Sequence, residues 1–67
     1  MSNAPARKGT PKDAKRLKAL RIELGLSQRE LAKEFYVSPG AIAHWENGNR
    51  PISGPVLKLI EIYEKKV

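Results

Sequence analysis

The sequence has no cysteine, a single histidine and a single tryptophan, and no long apolar run. Without cysteine, neither a disulfide nor a thiolate metal site can staple the fold, and one histidine cannot complete a zinc set. No apolar stretch approaches the roughly 20 residues that cross a bilayer, and the first residues lack the apolar segment of a signal peptide. A cytosolic location is the expectation. A chain of 67 residues can bury one small core near the lower limit of independent stability, which argues against an enzyme with a deep cleft. No nucleophile, base and orienting group stand at a plausible spacing, so no catalytic activity and no cofactor are implied. Strand alternation and internal repeats are missing too, leaving packed helices or dimerisation as the sources of stability.

What the chain has is positive charge. Thirteen Lys and Arg against seven Asp and Glu leave a formal charge of +6. The excess gathers near the N-terminus, where Arg7, Lys8, Lys12, Lys15, Arg16, Lys18 and Arg21 face Asp13 and Glu23. A polyanionic partner is expected, and nucleic acid is the commonest, because each neutralised phosphate releases condensed counterion.

Residues 1–9 are rich in Ala, Pro, Arg and Lys without an apolar period, and read as a disordered basic tail before a domain over 10–67. Thr10-Pro11-Lys12-Asp13 is a helix start, with Thr10 as cap, proline at the first helical position and aspartate at the positive end of the dipole. The first helix is expected from Pro11 to about Leu24, carrying Leu17, Leu20, Ile22 and Leu24 and stopped by Gly25. Ser27-Gln28-Arg29-Glu30 has the form of a capping box and opens a second helix with Leu31, Ala32 and Phe35 inward, ending near Phe35 or Tyr36. Ser38-Pro39 repeats the start signal, so a third helix runs to about Asn47 with Ile42 and Trp45 in the core and Gly48 as its stop. Ser53-Gly54-Pro55 starts a fourth, from Pro55 to about Lys65. The fold class is all-α, with four helices here or five in a longer chain.

A short helix, a tight turn and a second short helix form a helix-turn-helix outline. The ordered set Leu26-Ser27-Gln28-Arg29-Glu30-Leu31-Ala32, Val37-Ser38, Ile42, Trp45-Glu46-Asn47-Gly48 and Pro51 resembles the phage-repressor and Cro-type helix-turn-helix domain, also called the xenobiotic-response-element type. The resemblance covers about Leu17 to Tyr63 and implies binding of double-stranded DNA by a transcriptional regulator. It implies DNA contacts from Gln28, Arg29, Ser38, Pro39, Gly40, Ala41, Ala43, His44, Asn47, Asn49 and Arg50. Gln28 and Ser38 stand at helix starts, where a phosphate can meet free N–H groups, and Arg50 extends from the loop beyond the third helix. Direct base reading is sparse: Ala41 or Ala43 meets a thymine methyl, and His44 is the one long polar side chain before Asn47. DNA shape, or the basic tail in a minor groove, then carries part of the specificity.

Other residues have blander readings. Trp45 is core rather than a stacking platform, and Glu46, which repels phosphate, is expected to pair with a base or cap a neighbouring element. Lys15, Arg16, Lys18 and Arg21 either touch phosphate or form a solvated face. Tyr36 occupies a turn position where the family often has glycine; a positive φ there would cost roughly 1 kcal/mol or more. Val56, Leu57, Leu59, Ile60, Ile62 and Tyr63 spread wider than one core needs, so a weak homodimer through Leu59 and Ile62 is expected. The competing function is a protein-interaction module of the same fold, such as an antitoxin or a coactivator-like domain.

Overall fold

The computed structural model describes residues 11–67; the expected tail over 1–9 and the Thr10 cap lie outside the described residues. Four helices follow one another: α1 (Pro11–Glu23), α2 (Gln28–Phe35), α3 (Pro39–Glu46) and α4 (Gly54–Lys66). Each boundary falls within about one residue of its start or stop signal. At the far end of α1, the N–H of Gly25 donates to the Ile22 carbonyl and that of Leu26 to the Arg21 carbonyl. This paired closure needs a left-handed residue, and Gly25 supplies it with φ 71°.

The same closure ends α2 and α3. Tyr36 and Val37 donate to the carbonyls of Lys33 and Ala32, and Gly48 and Asn49 donate to those of Trp45 and His44. Gly48 has φ 75°, whereas Tyr36 has φ 58° and is the one non-glycine residue in this conformation among the described residues. The cost expected at Tyr36 is therefore borne. Its side chain is 95% exposed, so packing does little to offset it.

At the centre of the core stand Leu17, Leu31, Ile42 and Ile60, one fully buried side chain from each helix. Leu20, Ala32, Phe35, Trp45 and Val56 surround them. Ala32 is small enough to let α2 and α3 pack closely, and those two helices share the most extensive contact in the fold. Ile22, counted among the apolar positions of α1, is instead 61% exposed. It lies five residues beyond Leu17, about 140° round the helix and so on the outer side. Two core members were not among the expected ones: Ala14, three residues before Leu17 on the same stripe of α1, and Ile52, which plugs the core from the α3–α4 connection.

Helix α4 closes the bundle with Val56 and Ile60 buried and Tyr63 half-buried. The Tyr63 ring meets Phe35 edge-on at 5.3 Å, and its hydroxyl donates to Glu34 Oε1 at 3.1 Å. Bonding to that carboxylate favours the protonated phenol and raises its pKa. Arg16 fastens α1 to α4 by donating to both carboxylate oxygens of Glu64, at 2.8 and 3.2 Å. That bond lowers the Glu64 pKa and raises that of Arg16. Leu59 is half-buried against the core and Ile62 is 41% exposed, leaving an apolar margin on α4.

Candidate nucleic-acid interface

Two helix starts and one helix face make up the site. At the start of α2, Ser27 Oγ accepts from the Glu30 N–H at 3.1 Å while Glu30 Oε1 accepts from the Ser27 N–H at 2.8 Å. The reciprocal pair is the capping box that Ser-x-x-Glu predicts, and the Ser27 backbone bond holds the Glu30 carboxyl below its ordinary range. The N–H groups of Gln28 and Arg29 are left pointing out of the first turn.

At the start of α3, Ser38 has extended backbone and its Oγ accepts from the Ala41 N–H at 3.1 Å. Pro39 contributes no N–H, and its fixed φ suits the first helical position. The Gly40 N–H therefore sits at an open helix end next to the Ser38 hydroxyl.

Behind α3 a polar network sets its position. Arg21 Nε donates to Glu46 Oε2 at 2.7 Å and its Nη2 to Glu46 Oε1 at 3.2 Å, while Nη1 reaches the Leu26 carbonyl at 3.0 Å. Gln28 Nε2 adds a bond to Glu46 Oε1 at 3.1 Å. Glu46, expected at a base or as a cap, is instead turned into the domain by Arg21. Arg21 is not part of a solvated face: its side chain is 16% exposed and three of its five donors are bonded inside the domain. Arg16 is likewise tied to Glu64. Lys15 and Lys18 remain exposed.

The network divides α3 into two sides. Ile42, Trp45 and the Glu46 carboxylate face inward, the last with its side chain 4% exposed. Gly40, His44 and Asn47 are exposed and Ala43 is half-buried, and their spacing of three and four residues puts all four on one outward face. Ala41 flanks that face half-buried, and Pro39 is exposed at its head. Asn49 and Arg50 stand exposed in the connection that follows.

Arg29 and Pro39 are brought together with Lys33 and Val37 along an open groove of about 680 Å³ between α2 and the head of α3. Lys33 was missed in reading the sequence, although it lies four residues after Arg29 and so on the same helix stripe. Gln28, expected to meet a phosphate at this helix start, has its side-chain amide turned inward to Glu46. The outward-pointing groups at that helix start are its backbone N–H and that of Arg29. Among the described residues, no group of His, Asp and Glu is arranged to hold a metal ion, and no helix is long and apolar enough to cross a membrane.

No curated relative matches the chain. A family profile does, over residues 17–63, from the middle of α1 through α2 and α3 to Tyr63 of α4. With the capping box, the short turn and the outward face of α3 inside the matched region, the chain belongs to the Cro/CI-type helix-turn-helix family of DNA-binding domains.

Proposed function

We propose that this domain binds double-stranded DNA in a sequence-specific way, with α3 in the major groove, and acts as a transcriptional regulator without chemistry of its own. The observation that carries the reading is the division of α3: an inner side clamped by Ile42, Trp45 and Glu46, and an outer side whose residues are left open to a ligand. Gln28, Arg29, Ser38 and Arg50 position the domain on the phosphates, through N–H groups at helix starts and through charge. Pro39, Gly40, Ala41, Ala43, His44 and Asn47 lie against the base edges, with Asn49 at the groove wall. Two copies, associating weakly through Leu59 and Ile62 on α4, read half-sites about 34 Å apart on one face of the duplex.

Titration of labelled duplex at 50 and 200 mM salt tests the reading. With four to six phosphates neutralised, affinity falls by roughly two to three orders of magnitude across that range. A sparse base-reading face and the exposed Tyr36 are what favour the second reading, a protein-interaction module. Absence of any salt-dependent duplex binding at 50 mM would decide for it.

A further inference from the structure

The outward face of α3 is unusual in what it offers a base pair. Gly40 and Ala43 have no side-chain hydrogen-bonding group, Asn47 stands at the far end as the closing residue of the helix, and His44 is the one polar side chain within the helix on that face. A side chain placed on Gly40 would meet open space, since an added Cβ finds only Ser38 Oγ within 4 Å, at 3.9 Å. A base edge can therefore come up to the helix backbone at this point. Glycine is not required there by the fold, because Gly40 is not among the residues with positive φ.

Most groups on the major-groove edge are hydrogen-bond donors or acceptors. Pressed against the Gly40 Cα and the Ala43 methyl, such a group loses its water and gains no partner, which is unfavourable. One base feature suits an apolar, partnerless surface: the methyl group on C5 of a pyrimidine, present in thymine and in 5-methylcytosine. His44, next to Ala43 in sequence and four residues beyond Gly40, lies beside that contact. Among the described residues its imidazole has no hydrogen-bond or ion-pair partner, so an N–H is available to the N7 acceptor of a neighbouring purine.

We infer that α3 recognises a C5-methylated pyrimidine through Gly40 and Ala43, with His44 reading the purine beside it. The inference rests on the duplex binding proposed above, and its test separates the two. Sites are selected from random duplexes, and the selected site is resynthesised with deoxyuridine replacing thymine one position at a time, which removes only the methyl. A second series carries cytosine or 5-methylcytosine at the sensitive position.

Loss of one methyl is expected to weaken binding roughly fourfold at one or two positions per bound copy. A gain of similar size from 5-methylcytosine over cytosine assigns both sources of the methyl; a deoxyuridine effect without that gain assigns thymine alone. Gly40→Gln, which fills the open space, is expected to bring the thymine-to-deoxyuridine ratio to one, whatever its effect on overall affinity. Equal binding of thymine and deoxyuridine duplexes at all positions overturns the methyl contact and leaves duplex binding standing. An unchanged deoxyuridine effect in Gly40→Gln removes it from this face. Failure to bind any duplex at low salt overturns the underlying reading.

Discussion

Arg21 and Glu46 are 25 residues apart in the chain and 2.7 Å apart in space, joined beneath the start of α2 with side chains only 16% and 4% exposed. The pair ties α1 to α3, and Gln28 bonds to the same carboxylate from α2. Removing one partner leaves the other charge in a poorly hydrated place, so Glu46→Ala is expected to lower stability by about 2–4 kcal/mol. Replacing both, as Arg21→Met with Glu46→Leu, is expected to cost much less than the single change. Urea midpoints at constant m-value check both, and a single change costing under about 0.5 kcal/mol would show that the clamp contributes little.

Tyr36 occupies the left-handed position that Gly25 and Gly48 fill at the ends of the neighbouring helices. Tyr36→Gly removes the steric cost at φ 58° and loses almost no packing. Part of the gain is offset by the greater freedom of glycine in the unfolded chain. A net stabilisation of about 0.5–1 kcal/mol is expected, read as a rise in thermal midpoint. Tyr36→Ala is expected to gain little, since a Cβ remains.

The starts of α2 and α3 and the stops of α1 and α3 were legible because each has a local chemical cause within three or four residues: Ser27 with Glu30, Ser38 with Pro39, Gly25 and Gly48. The outward positions of α3 followed from the same periodicity. What could not be read were choices made across the chain. Arg16 and Arg21 look alike in sequence, yet one meets Glu64 and the other Glu46, partners 48 and 25 residues away. Gln28 at a helix start can face phosphate or turn inward, and a carboxylate from α3 decided which. Ile52 is buried by the path of a connection, for which no period exists.

Two carboxyls among the described residues have a lowered pKa and are expected to contribute to the acid limb of stability. Glu64 is held down by Arg16 and Glu30 by the Ser27 backbone. For a depressed pKa the stabilisation is fully present above the unfolded value, about 4.3 for glutamate, and is lost as pH falls through the folded value below it. The urea midpoint is therefore expected to hold from pH 7 to 5 and to drop below about pH 4. Glu64→Gln and Glu30→Gln each flatten that drop, and a midpoint as pH-dependent in both variants as in the parent would contradict the assignment.

Arg50→Ala and His44→Ala separate positioning from reading. Loss of the Arg50 charge is expected to weaken binding to all duplexes alike and to reduce the salt slope by about one. Loss of the imidazole is expected to cost roughly 1–3 kcal/mol at the selected site and almost nothing on scrambled duplex. The reverse pattern in either variant would exchange their roles.

Ile62 tests the association of copies. Ile62→Glu puts a charge on the exposed margin of α4 and is expected to leave thermal stability within about 0.5 kcal/mol of the parent. It should also abolish self-association seen by sedimentation at millimolar concentration and reduce binding to palindromic sites more than to single half-sites. A parent that stays monomeric at that concentration and binds sites lacking symmetry would rule the dimer out.

The two-sidedness of α3 also bears on how readily this domain can change its target. Ile42, Trp45 and Glu46 hold the helix in place, whereas Gly40, His44 and Asn47 are exposed and only Ala43 among the outward residues is half-buried. The residues proposed to choose the DNA thus overlap little with those that keep the fold. Libraries randomised at those four outward positions are expected to yield mostly folded proteins with divergent preferences. On that view, the bareness of the face makes it a platform on which new recognition can be installed by adding side chains, without first dismantling an old set.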